Sequence, residues 1–337
     1  MPTSTKRGRS PAKRSNSKGG KTPRSKLPTP HNDDKDYPLY YIDQVPEYLR
    51  DNQYILSHYR AYYSFKACVG SLFRLHNETF NIWTHLLGGM YFVYLIYDLY
   101  AFLFHEYSDG NGVSFTKDDQ QRVVLVSRNG NERTAMPFII FGLYSFGCLC
   151  CMFCSACFHT FLCHLSTPAF RFAHALDYFG ITALTVGSFI PFCNYAFACD
   201  PEWGVFYLKM IGCFGVVGML GPFFRRWTSQ AFATKKILFY VAMVGSGIIP
   251  TLHMLRLPET PIRNPAIKGL LQMLAFYGVG VFIYAFKLPE IFSPGTFDVY
   301  FHSHQIWHVF VLAAALTHFY NAVQMYKGHN NDVTCAR

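Results

Sequence analysis

The chain has 337 residues, 51% of them hydrophobic, 18% aromatic and only 15% charged, with a mean hydropathy of +0.12. That is too apolar for an ordinary water-soluble domain. The formal net charge of +10 would suit a nucleic-acid binder, but no folded reading module follows the basic stretch, so nucleic acid is set aside as a partner.

Residues 1–36 are rich in Ser, Pro and Gly and carry Lys6, Arg7, Arg9, Lys13, Arg14, Lys18, Lys21, Arg24 and Lys26. Such a stretch cannot bury enough apolar surface to offset its ordering entropy, which predicts a disordered basic cytosolic tail close to anionic lipid. The first apolar run comes well after the amino terminus, so no cleavable signal peptide is expected. Residues 37–78 mix aromatic, apolar and charged side chains as a juxtamembrane or interfacial segment would. Residues 79–326 form the expected membrane domain, and 327–337 a short outer tail.

Seven apolar stretches can each cross about 30 Å of hydrocarbon at 1.5 Å per helical residue. They are Thr79–His105, Pro137–His164, Phe170–Phe192, Gly204–Phe224, Lys236–Leu255, Ala266–Lys287 and Phe301–Tyr326. Unpaired backbone cannot sit in lipid, so the fold class is an all-α membrane protein, a seven-transmembrane helix bundle. Fourteen Lys and Arg precede the first span, and Arg225, Arg226, Lys235 and Lys236 lie between the fourth and fifth. These charges predict a cytoplasmic amino terminus and an extracytoplasmic carboxyl terminus, opposite to a G-protein-coupled receptor. The first outer loop, Glu106–Ala135, weakens the bias with Lys117, Arg122, Arg128 and Arg133, set against Asp109, Asp118, Asp119 and Glu132.

The eleven cysteines form no secreted disulfide grid. Cys148, Cys150, Cys151, Cys154, Cys157 and Cys163 crowd one apolar run and read as reduced, membrane-buried thiols. Cys193, Cys199 and Cys335 fall in or near outer segments, where position alone would allow a bridge.

Ionisable groups inside a membrane are costly and mark function. Ser155 and His159 in SACFHTF, Asp177 in HALDYFG, and His304 and His308 in SHQIWH fall at the inner ends of the second, third and seventh spans. His159 and Asp177 stand nine residues to either side of Pro168, so a symmetric hairpin would hold them at one height. His304 and His308 are i and i+4, on one helix face. A third imidazole from another helix gives three protein ligands with a fourth position left for water, the pattern of catalytic zinc. Asp177 would take that water's proton, and Ser155, one turn before His159, would orient a ligand or stabilise an oxyanion. Each residue alone has a plainer reading as an interfacial or packing group; the five together carry the metal reading. Cys154 and Cys157, turned about 100° from the Ser155/His159 face, read as structural thiols. His302 points away from His304 as a bystander, and His85, His164, His174, His253 and His318 read as packing, hydrogen-bonding or interfacial groups. The polar run Arg74, His76, Asn77, Glu78 and Asn81 reads as a capping network or as the lining of the cytosolic mouth.

At FKACVGSLFRLHNETFNIWTHLLGG, SACFHTFLCH, LDYFGITALTVGSFIPFCNYAFAC and KLPEIFSPGTFDVYFHSHQIWHVFVLAAALTHFY, the chain closely resembles the progestin and adipoQ receptor family, in its adiponectin-receptor-like branch. The resemblance spans about Val45 to Tyr326. It implies an inner-leaflet Zn2+ site with His159, His304 and His308 as ligands and Asp177 and Ser155 beside the water, as in the wider superfamily that includes alkaline ceramidases. It also implies hydrolysis of a lipid amide, ceramide giving sphingosine and fatty acid, coupled to lipid-metabolism signalling. The alternative it leaves is a non-catalytic hormone or lipid receptor with a structural zinc. The partners it allows are a ceramide-like membrane lipid, an extracellular protein or lipid ligand, and a second copy in a homo-oligomer; the plasma membrane is the expected home. The basic tail and the long first outer loop depart from the family pattern.

Overall fold

A computed structural model describes residues 37–332 apart from 109–112, 118–122, 128–131, 228–229 and 258–261. The basic tail, Cys335 and the end of the outer tail lie outside the described residues. Seven helices are long and apolar enough to cross a membrane. They are α2 (Thr79–Ser108), α3 (Met136–Phe161), α4 (Thr167–Ala196), α5 (Pro201–Leu220), a fifth span made of α6 (Ala233–Gly245) and α7 (Ile248–Met254), α8 (Arg263–Ala285) and α9 (Ser303–Asp332). Their outward faces carry exposed apolar side chains such as Val216, Ile237, Leu238 and Leu271, as lipid contact requires. The chain is therefore an integral, multi-pass membrane protein.

Three details differ from the sequence-based boundaries. The fifth span breaks because the run Gly245-Ser246-Gly247 is followed by Pro250, which has no N–H to continue the helical ladder to Ser246. The seventh span continues to Asp332, into residues expected to be tail. The first outer loop contains a three-stranded antiparallel sheet of β3 (Val113–Lys117), β4 (Val123–Ser127) and β5 (Glu132–Thr134).

The core is laid around α3 and α4, the two spans most deeply buried apart from their ends. Their backbones meet at glycines: a Cβ on Gly147 would stand 2.5 Å from the Ala183 carbonyl oxygen, and one on Gly180 2.7 Å from that of Cys150. Small residues permit this approach, the usual basis of helix packing in lipid. A side chain at either position would force the helices apart, at about 1–3 kcal/mol for an overpacked core site.

The segment before the membrane folds over one end of this bundle. Strands β1 (Leu39–Tyr40) and β2 (Tyr59–Arg60) pair antiparallel, and α1 (Phe65–Gly70) follows, with the Ser64 hydroxyl accepting from the Ala67 N–H. Tyr63 donates its N–H to the Cys163 carbonyl at 3.0 Å and accepts from the Leu165 N–H at 3.0 Å, so the α3–α4 turn is stitched to it. Asn52 donates to Glu290 at 2.9 Å, and Leu56 N–H to Asp298 at 2.8 Å, which fastens the α8–α9 connection to the same layer.

Nine described cysteines are free thiols, including the crowded Cys148–Cys163 set and Cys193. Cys199 is disulfide-bonded.

Candidate metal centre

The start of α9 is built by a buried carboxylate. Glu290 accepts from the Ser303 N–H at 2.8 Å and from the Ser303 hydroxyl, and Gln305 reaches back to accept from the Phe301 N–H at 2.6 Å. These bonds satisfy donors that a helix amino terminus otherwise leaves unpaired. Phe301 adopts φ 62°, a left-handed turn that swings His302 away from the helix. His302 instead bonds the Asn77 carbonyl at 2.9 Å, so it fixes the juxtamembrane layer and stays out of the histidine cluster.

His304 and His308 then share one face of α9 with ring centroids 4.9 Å apart, and His159, in the last turn of α3, stands 5.1 and 4.7 Å from them. One nitrogen from each of the three lies within 4.8 Å of the others. The tautomers follow from the partners. His308 Nδ1 faces the Asn81 carbonyl at 3.1 Å, which can only accept, so Nδ1 carries the proton and Nε2 the lone pair. His159 Nδ1 faces the Glu78 carboxylate at 2.7 Å, leaving Nε2 buried with no partner. A buried imidazole nitrogen without a partner is costly, and a converging set of them fits a metal ion. Among the described residues no other His, Cys, Asp and Glu group meets that standard; Cys154 and Cys157 remain free thiols.

Ser155 is buried one turn before His159. Asp177 is within electrostatic range of His159 and close to Ser155. Its height differs from the symmetric expectation. The Gly147 and Gly180 contacts set a hairpin register that places the Asp177 backbone opposite Phe153 and Cys154, about one and a half turns deeper than His159. The turn between the helices is residues 162–166, with Ser166 capping α4 and Pro168 in its first turn, so the hairpin is centred before Pro168; the Tyr63 bridge holds that turn.

Sequence reasoning reads Glu78 and Asn81 as capping or mouth-lining groups and His85 as a packing group, without joining them on one face at the start of α2. Glu78 holds His159, and the Asn81 amide donates to that same carboxylate at 2.6 Å. His85 is buried and stacks on His308 at 3.9 Å between centroids. These residues are i, i+3 and i+7, a spacing that puts them on one helix face and could have revealed them together. The other histidines are packing or hydrogen-bonded groups: His318 bonds the Ser188 carbonyl at 2.9 Å and His253 the Tyr207 hydroxyl at 2.8 Å. A cleft lined by Asp51, Asn77, Glu78, Lys287 and His304 reaches the cluster from the juxtamembrane side.

Because Glu78 fixes the orientation of His159, Glu78→Gln is expected to weaken metal binding about 10–100-fold, the usual cost of losing a carboxylate behind a ligating histidine. Competition with a chelator of known affinity checks it; unchanged affinity would mean that His159 needs no such support.

The family model for haemolysin-III related proteins matches residues 73–319. The chain is 36% identical to heptahelical transmembrane protein 1 of Arabidopsis thaliana, over 87% of this chain and 82% of that one. It is 31% identical to the adiponectin receptor protein of Drosophila melanogaster and 32% to progestin and adipoQ receptor-like protein 1 of Caenorhabditis elegans. The matches cover 85% and 84% of this chain but only 59% and 60% of those two relatives. With seven spans and this match, the chain belongs to the haemolysin-III related family, as an adiponectin-receptor-like member of its progestin and adipoQ receptor group.

Proposed function

We propose that the protein hydrolyses a lipid amide, ceramide giving sphingosine and fatty acid, at a zinc site formed by His159, His304 and His308. The observation that carries this reading is the convergence of three imidazoles, one with an unpartnered buried Nε2, beside the Asp177–Ser155 pair. A zinc ion bound there would supply the Lewis acidity that makes water nucleophilic near neutral pH. Asp177 accepts the proton of the attacking water at its carboxylate and returns it to the amide nitrogen as the C–N bond breaks. Ser155 orients that carboxylate through its hydroxyl. Glu78 and the Asn81 carbonyl keep both ring protons on Nδ1, away from the reacting side.

The reading includes an amino terminus in the cytosol and the plasma membrane as home. It is supported by the positive charge before the first span and by the disulfide of Cys199 at the opposite end of the bundle from the free thiols Cys68 and Cys163, which lie 3.5 Å apart. A site at that depth suits a substrate whose two tails stay in the bilayer. A second reading, a receptor in which the metal only ties α3 to α9, is favoured by the name of the Drosophila relative.

Full-length protein in ceramide-containing nanodiscs should release sphingosine, lose that activity to a chelator and regain it with zinc. Zinc-loaded protein that turns over no ceramide, with or without an added extracellular ligand, would leave the receptor reading.

A further inference from the structure

A second polar site lies on the other side of His159's helix end. A cavity of about 230 Å³ is lined by Tyr37, Arg60, Ser71, Arg74, Leu75 and His76 among others. Water occupies about 30 Å³ per molecule in the liquid, so this space admits a phosphate-sized group with several waters. Arg60 is 1% exposed. Its Nη1 donates to the Ser71 hydroxyl at 2.6 Å and the Thr160 carbonyl at 3.4 Å, and its Nη2 to the His159 carbonyl at 2.7 Å.

Capping the carboxyl-terminal carbonyls of α3 explains those two nitrogens. It does not explain the charge. The Arg60 Nε is buried without a partner, and among the described residues no carboxylate lies in ion-pair range of Arg60. A buried cation surrounded by neutral acceptors is poorly compensated. Arg74 adds a second guanidinium to the cavity, held 5.5 Å over the Tyr37 ring. His76 contributes no charge at neutral pH, because burial and the nearby Arg60 push its pKa down to about 3.

The cavity is also lined by exposed apolar side chains, Leu75 at 56% and Leu39 at 42%. A pocket with two guanidiniums beneath exposed apolar side chains, next to the first membrane span, matches the boundary between acyl chains and headgroups.

We propose that this cavity is an anion site that binds a phosphate group through the Arg74 guanidinium, backed by the buried charge of Arg60, either as a phospholipid headgroup or as free phosphate. Guanidinium forks match phosphate geometry; Arg74 presents its fork to the cavity, and Arg60, whose Nη groups are taken up by Ser71 and the α3 carbonyls, places a buried positive charge behind it. Through the Arg60 bond to the His159 carbonyl, occupancy would be felt by the helix turn that carries His159. The binding claim itself does not depend on the metal or on hydrolysis.

The test uses full-length protein in nanodiscs and follows thermal unfolding. One arm adds inorganic phosphate against chloride at matched ionic strength in phosphatidylcholine discs; the other adds a phosphoinositide to the disc lipid. A saturable rise in melting temperature in the first arm identifies free phosphate, and a rise confined to the second identifies a headgroup. Arg74→Gln, at an exposed position that should not impair folding, is expected to shift half-saturation by roughly tenfold or more, as loss of a charged hydrogen bond does. Lys235→Gln, an exposed charge elsewhere, is expected to leave it unchanged. No rise in either arm, a rise that survives Arg74→Gln unaltered, or an equal loss in Lys235→Gln would overturn the proposal.

Discussion

Substitution of His308 by Ala is expected to abolish stoichiometric metal binding. His308 touches α2, through the Asn81 carbonyl and the His85 ring, and α3, through His159. Its removal leaves two nitrogens, and the loss should exceed the ~10–100-fold that follows removal of a supporting partner. Metal bound only to the folded protein stabilises it by mass action, so the variant should also melt at lower temperature, and excess chelator should no longer lower it further. His318→Ala is the control, since His318 is a buried histidine of the same helix that bonds only the Ser188 carbonyl. It should lose stability and keep its metal. Full metal content in purified His308→Ala, measured by plasma mass spectrometry, would dismiss the cluster as a metal site.

That the cluster could be read in the sequence at all follows from its setting. His304 and His308 open an apolar run at helical spacing, and hydrophobic segments tolerate such groups only with a partner. The spans were legible for the same reason, since about 20 apolar residues in a row have few other uses. The height of Asp177 escaped although a local signal carries it. Ser166 caps α4 with Pro168 in its first turn, a helix-start signal that centres the hairpin before Pro168 and that a symmetric reading about Pro168 ignores; the Tyr63 bridge to residues 163–165 holds that turn. The rest of what escaped is set by contacts distant in sequence. The roles of Glu78 and His85 escaped because polar residues at the mouth of a span are ordinarily capping or interfacial groups. Only the fold shows that Glu78 meets a residue 81 positions away. Arg60 was invisible in the same way: an arginine before the membrane looks solvated until β2 carries it beneath the α3 carbonyls.

Asp177→Asn separates the two readings of the metal. The substitution keeps the size of the side chain and its capacity to bond Ser155, but the amide cannot take up a proton. Asp177 is not among the three converging nitrogen ligands, so the variant should bind metal with near wild-type affinity and melt close to the wild type. If Asp177 is the general base, turnover of ceramide should fall by about 10²–10⁴-fold, the range for removing such a group, with the loss in kcat and little change in KM. Ser155→Ala should act in the same direction and more weakly, because it removes the hydroxyl beside the carboxylate and leaves the carboxylate in place. Three results would speak against this assignment in different ways. Metal lost together with activity would make Asp177 a ligand, and activity retained would make it a packing residue. A wild type inactive under the same conditions, with metal bound, would leave the histidines as a tie between α3 and α9. Only the combination of metal retained and turnover lost requires that the carboxylate handle a proton.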